Sequence, residues 1–416
     1  MVQLAGTQNP ERGLGFKAPD YRVVWEARAG RQPTGFDEDR RYRYAAAIKQ
    51  RISTIMEDRS KSGDPDSFNG RLKGLAKTVA ILDGRESAEF VMQILALPGD
   101  WDEWTRVDAL EALLFSGARL GADAALSVLN PTIDHIRPRT VHDQQATYLL
   151  RRCLCLLAFL DPPSVGIARI KEIVVATRFP GYELREVVTA LGQSRCNDAL
   201  GFLLELATAG GNGLQGIAGE WIDALAALGT PESRQVLLNF VDPDIEHLAV
   251  EQHFEYHDRE RLASHIVTIA RVEPTVRDRL YLLCARQLSP AMRLLLADVV
   301  ARLGTPDALV VGLDLIHDHA NPPIPYELVR GLESFFLERR PYGDTGDVYT
   351  LEPRSANEIR GRLFEMVLND DNRRRSAWVL LGQIESWRLE YGRPSSEPRH
   401  PAFDSGEPWP PLERAG

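Results

Sequence analysis

Two hexapeptides decide the reading of this chain: Leu228-Gly229-Thr230-Pro231-Glu232-Ser233 and, 75 positions later, Leu303-Gly304-Thr305-Pro306-Asp307-Ala308. Each carries the chemistry of a bend between two helices. Glycine adopts the left-handed backbone that ends the first helix, and threonine caps the second with its hydroxyl. Proline suits the first helical position, and an acid is favoured at the positive end of the helix that follows. The likeness runs outward from the bend in both directions. Backwards, Leu228, Leu225, Ala224, Trp221 and Ile217 fall on Leu303, Val300, Val299, Leu296 and Met292, the spacing of one helical face. Forwards, Val236, Leu238, Phe240 and Val241 fall on Val311, Leu313, Leu315 and Ile316. A helix, a bend and a second helix are therefore repeated.

The same register recurs 37 positions earlier, where Leu184, Val187, Val188, Leu191 and Gly192 precede a second helix through Ala199, Leu200, Leu203 and Leu204. A more distant copy places Leu75, Thr78, Val79 and Leu82 before Phe90, Val91, Ile94 and Leu95. Offsets of one and two such units match helix pairs of the HEAT and armadillo type. Units such as Ala226-Ala227-Leu228-Gly229-Thr230-Pro231-Glu232 resemble HEAT repeats. That resemblance implies an all-α, right-handed solenoid of about seven to nine degenerate helix pairs.

The periodicity sets four segments. Residues 1–38 are rich in Gly, Pro and charge and read as an irregular arm, either packed on the first repeat or partly disordered. Residues 39–320 read as the solenoid, opened by a helix over 39–58. It contains pairs over 104–129, broken near Gly117–Gly121, over 143–176, broken at Asp161-Pro162-Pro163, and over 258–288. Residues 321–391 read as further helices, with a polar loop at 341–354. Residues 392–416 carry six prolines from Pro394 to Pro411, which favour an extended tail.

Composition narrows the function classes. The formal net charge of -10 argues against wrapping nucleic acid by bulk attraction, although residues 1–80 are mildly basic and the remainder acidic. Four scattered cysteines, Cys153, Cys155, Cys196 and Cys284, do not make a disulfide framework and suit a reduced, cytoplasmic setting. Neither a leader segment nor about 18 consecutive apolar residues is found, so no membrane span is expected. Only six of the 49 cations are lysine, as in a GC-rich, bacterial genome.

The stretch Leu380-Leu381-Gly382-Gln383-Ile384-Glu385-Ser386-Trp387-Arg388-Leu389-Glu390-Tyr391-Gly392-Arg393-Pro394, with Glu397-Pro398-Arg399-His400-Pro401, is similar to the terminal repeat region of bacterial NACHT-type NTPases of antiphage defence. The resemblance implies a sensor-like role in antiviral defence. Those NTPases carry a phosphate-binding loop; this sequence holds no Gly-Lys-Ser/Thr step, so the resemblance does not extend to NTP hydrolysis.

Candidate chemistry is sparse. His253 and His257 would share one face of a helix at i, i+4, a spacing that can chelate zinc, with a nearby carboxylate completing a metal-dependent site. The glutamate between them, Glu255, falls on the opposite side, and a solvated connector explains the cluster equally. His317 and His319 near a helix C-terminus suit its dipole without any catalytic role. Arg373-Arg374-Arg375 could meet a phosphate, which with the basic head leaves a nucleic-acid reading open. Cys153 and Cys155 project to opposite sides of a helix and read as core thiols. No nucleophile elbow or dinucleotide-binding glycine motif occurs, so neither catalysis nor a cofactor is expected.

The second helices offer a recognition face. If Phe90, Val91, Ile94 and Leu95 are core, positions 89, 93 and 96 point outward. Carried through the register, this stripe contains Glu89, Gln93, Asp198, Phe202, Glu205, Gln235, Asn239 and Asp314, joined by Asp242 and His317. By the HEAT resemblance second helices line the concave side, so the stripe is a candidate groove for a basic polypeptide. A solvated helix face would carry the same charges. The expectation is a non-catalytic protein-binding scaffold or sensor, with a metal-dependent enzyme and a nucleic-acid binder as alternatives.

Overall fold

The computed structural model describes residues 20–30, 38–98, 103–140, 142–177, 179, 181–208, 214, 216–242, 256–286, 288 and 290–303, with single positions 308, 311, 361, 364, 365 and 368. These residues are all-α apart from two two-residue strands. They belong to two compact units, Met1–Arg234 with Leu248–Phe254, and Gln235–His247 with Glu255–Gly416. The division falls inside the 39–320 stretch that the repeat reading treats as one array.

In the first unit, α1 (Arg22–Arg28) and α2 (Glu38–Lys61) precede α3 (Asn69–Leu95), which is bent at Asp83. Then come α4 (Glu103–Phe115), α5 (Ala122–Ile136), α6 (Gln144–Leu157), α7 (Pro163–Thr177), α8 (Arg185–Gln193), α9 (Asn197–Thr208) and α10 (Ala218–Leu228). The packing forms two layers: α4, α6, α8 and α10 follow one another in one, and α5, α7 and α9 in the other. Contacts between neighbours are more extensive in the first layer. Strands β1 (Leu120–Gly121) and β2 (Leu160–Asp161) lie in the bends after α4 and α6 and pair in parallel.

The expected bend is present at Gly229. Its φ of 66° is left-handed and ends α10, and Thr230 Oγ1 accepts a hydrogen bond from the Ser233 amide (3.1 Å) at the start of α11 (Pro231–Asn239). The α10 face is buried as the periodicity requires, with Ile217, Trp221, Ala224, Leu225 and Leu228 inside. Trp221 is fully buried and donates its indole N–H to the Leu203 carbonyl (2.8 Å), so its one polar atom is satisfied. The second copy is buried likewise on α14 (Pro290–Leu303), at Met292, Leu296, Val299, Val300 and Leu303. Its bend at 304–307 lies outside the described residues. In the second unit α14 packs on α12 (Tyr256–Val272) and α13 (Pro274–Cys284), the pair expected over 258–288.

Three expectations need correction. The segment read as irregular contains α1, whose apolar positions Val24 and Ala27 are buried. It packs on α4 and is hydrogen-bonded to Gln193 at the end of α8, not to the first helix pair. In α3 the core positions are Leu72, Ala76, Val79, Ala80 and Asp83, one residue off the predicted face, which leaves Leu75, Thr78 and Leu82 half-buried. The cause is a tighter bend: Asp83 takes the place held by Leu228 in the later copy. Its carboxylate accepts from Lys49 Nζ (2.8 Å) and Ser87 Oγ (2.6 Å), so a buried acid sits where the pattern calls for an aliphatic residue. The third correction, at Phe202, concerns the recognition stripe.

Candidate protein-binding surface

On the second helices, Glu89 and Gln93 of α3 and Asp198 and Glu205 of α9 are exposed. Phe202 is not: it is only 5% exposed and belongs to the core with Ala199, Leu203 and Leu206. The α8–α9 connection explains the error. Eight positions separate the core residues Leu191 and Ala199, whereas five separate their counterparts Leu228 and Ser233. A register carried across that bend therefore slips along α9 and presents the wrong side. Asp242 is also buried, ion-paired with Arg279. Gln235 is exposed and donates to the half-buried Asn239 (2.7 Å), one turn along α11. Asp314 and His317 lie outside the described residues.

The surviving outward residues of the first unit are not adjacent. Helix α3 packs on α2, α4 and α5, and α9 on α7, α8 and α10, so Glu89 and Gln93 lie on one helix and Asp198 and Glu205 on another. Glu205 is held by Lys171 of α7 (2.6 Å), both about half exposed and therefore a weak, screened pair.

A denser cluster runs over α3, α4, α6, α8 and α10, on faces for which the sequence reading named no site. Lys77 of α3 pairs with Asp108 of α4; Arg152 of α6 pairs with Asp108 (2.7 Å) and with Glu111. Next along α6, Arg151 reaches Glu183 (3.1 Å), and Arg185 of α8 reaches Glu220 of α10 (3.4 Å). Beside this seam Trp104 and Tyr148 stack at 6.0 Å, and the Arg152 guanidinium lies 5.8 Å from each ring. Trp104 is 38% exposed. Trp, Tyr and Arg together are the side chains over-represented at binding hot spots. The signal available in sequence was the spacing of Asp108 and Glu111 on one helix and the adjacent arginines 151 and 152, which a search for apolar periodicity passes over.

Glu186 is buried beside the seam. Burial pushes its carboxyl above the ordinary glutamate range, with the Arg151 charge opposing. The expected core thiols are found: Cys153 and Cys155 are buried, and burial raises Cys153 to about 12 and Cys155 further in the same direction. These thiols are poor nucleophiles.

Of the histidine cluster, His253 and Glu255 lie outside the described residues. His257 is exposed on α12, with Nδ1 3.3 Å from Glu260. Among the described residues no group of three metal-ligating side chains assembles, and no helix is long and apolar enough to cross a membrane. Residues 319 and 373–375 are not described.

One comparison bears on the C-terminal third. Residues 331–410 match the NACHT C-terminal Alpha/Beta 2 family. The matched region contains the Leu380–Pro401 stretch that carries the NACHT resemblance in the sequence, and supports it. Of these residues the structure describes 361, 364, 365 and 368, all helical. No curated protein and no solved structure matches the chain.

Proposed function

We propose that this chain is a non-catalytic, HEAT-like scaffold or sensor that captures a polypeptide partner within a bacterial defence assembly of the NACHT type. The observation that carries the proposal is the family match over 331–410. The layered helices of the first unit supply what such a module needs, a large surface on a rigid support. The partner chemistry follows from charge. Residues 81–416 are acidic overall, Glu89 and Asp198 are exposed, and Glu205 is half-exposed in a weak, screened pair with Lys171, which suits a basic polypeptide.

The test is quantitative affinity capture from the source cells with the full chain and with a Glu89→Lys, Asp198→Lys, Glu205→Lys variant. The expected result is a partner enriched on the natural chain and lost from the variant, with helix content and melting temperature preserved. Undiminished capture by the folded variant removes these three residues from the binding surface. A Trp104→Ala variant run alongside tells whether the first-layer seam is used instead.

A further inference from the structure

Helix α2 turns a basic stripe to solvent. Its apolar positions Ala45, Ile52 and Ile55 are buried, and the helix packs on α3. The cations near that inner side are held by the protein itself. Arg41 Nε donates to the Leu82 carbonyl (2.9 Å), Lys49 Nζ to the Asp83 carboxylate (2.8 Å) and Arg59 Nε to the Asn69 side-chain carbonyl (3.1 Å). On the opposite side Arg40, Arg43, Tyr44, Ala47 and Arg51 are all exposed, at i, i+3, i+4, i+7 and i+11 of a single helical face. Arg43 uses Nε on the Asp39 carbonyl (3.2 Å), and among the described residues neither Arg43 nor Arg51 pairs with a carboxylate. Three guanidinium groups thus span roughly 16 Å of helix. Tyr44, 60% exposed, stands between the second and the third.

The chemistry of the stripe selects its occupant. A guanidinium fork binds phosphate and carboxylate oxygens alike, so the arginines call for a polyanion. The exposed ring decides between polyanions, because an unstacked base can lie on tyrosine and an acidic side chain cannot. In a duplex the bases already stack on one another, which leaves a single strand as the form that uses both groups. A membrane surface fits less well: the large aliphatic residues of α2 are turned inward, and its exposed side offers none beyond Ala46 and Ala47.

The rest of the chain limits the site. Residues 1–80 hold 15 Lys+Arg against 10 Asp+Glu, whereas residues 81–416 are acidic. At 0.1 M salt a charge is felt over only about 10 Å, so a strand is held where the local sign is positive and is not drawn along the acidic body. Glu57 and Asp58, exposed within two turns of Arg51, close the stripe at that end.

We propose that the Arg40, Arg43, Tyr44 and Arg51 face of α2 is a binding site for single-stranded nucleic acid, with the arginines on phosphates and Tyr44 stacked on a base. The site is short and indifferent to sequence. It lies on a different helix from Glu89, Asp198 and Glu205, so it stands or fails apart from the capture of a polypeptide.

The experiment follows the anisotropy of a short fluorescent single strand of mixed sequence, as RNA and as DNA, on the full chain over a range of salt. Three phosphate contacts on a single strand give a slope of log K against log salt of about −2. An Arg43→Gln, Arg51→Gln variant is expected to bind about tenfold more weakly at low salt and to flatten the slope to about −0.7. Tyr44→Ala should weaken binding about tenfold and leave the slope unchanged. All three positions are exposed, so the melting temperature of each variant should match that of the natural chain. Ultraviolet crosslinking of the strand to the natural chain should label the peptide that contains Tyr44. No retention at low salt, or equal binding by the folded double-arginine variant, overturns the proposal. So does a crosslink that maps away from α2, a reading that needs no variant. Binding of the duplex or of a poly-glutamate peptide as tight as that of the single strand overturns it as well, and in the second case gives the face to an acidic polypeptide.

Discussion

At the scale of the residue, the polar side chains inside this helical protein give sharper predictions than the apolar ones. Glu186 has a folded pKa raised above its unfolded value by burial, so the fold favours its protonated form. Its favourable contribution is present in acid and is lost as pH rises from the unfolded value through the raised folded value; above that, a buried carboxylate opposes folding. Glu186→Gln is therefore expected to raise the melting temperature near pH 7 and to change it little below about pH 4, since the ordinary glutamate pKa is about 4.3. An equal gain at both pH values would contradict the assignment. Cys153 and Cys155 should resist thiol reagents at pH 8 in the folded chain, while the partly exposed Cys196 is labelled first; a time course with mass detection resolves the order. Phe202 shows what a residue-level reading of sequence misses. Its face depends on a bend three residues longer between core positions than its counterpart, and nothing within α9 itself reveals that length.

At the scale of the element, local chemistry was legible and register was not. The Gly229-Thr230-Pro231-Glu232 bend forms as its residues dictate, because each acts through its own backbone or the nearest amides. Gly229→Ala should destabilise by about 1–2 kcal/mol through the left-handed backbone, and Gly229→Asn by less. Thr230→Ala should cost about 1 kcal/mol through the lost cap. Urea unfolding followed by circular dichroism measures all three, and an equal cost for alanine and asparagine at 229 would contradict the backbone explanation. Helix positions in α4 to α7 also followed from the sequence, since Gly117–Gly121 and Asp161-Pro162-Pro163 interrupt strong periodicity. Helix α1 did not. Seven residues carry too little periodicity to be read, and the contacts that order it come from Phe115, Phe159 and Gln193, far along the chain. Asp83 hid the α3 register for a similar reason: its partners Lys49 and Ser87 make an acid acceptable at a core position.

At the scale of the whole molecule, the helical class of the described residues was readable because one 75-residue offset relates two copies of a helical face, and both are buried as expected on α10 and α14. The candidate surface was readable only in part. Charge and helical angle identified Glu89, Gln93, Asp198 and Glu205 as outward residues, but the Trp104–Tyr148–Arg152 seam arises where two helices, α4 and α6, meet and has no contiguous signature. The functional setting comes from the other end of the chain, where residues 331–410 match the NACHT C-terminal Alpha/Beta 2 family. The proposal that joins these parts is capture of a basic polypeptide in a defence assembly. Its most direct test is quantitative capture by the natural chain and by the folded Glu89→Lys, Asp198→Lys, Glu205→Lys variant, with the partner then purified and its affinity measured against ionic strength. The account predicts a basic partner whose binding weakens with salt and falls at least tenfold in the variant; a partner bound equally by both proteins would contradict it.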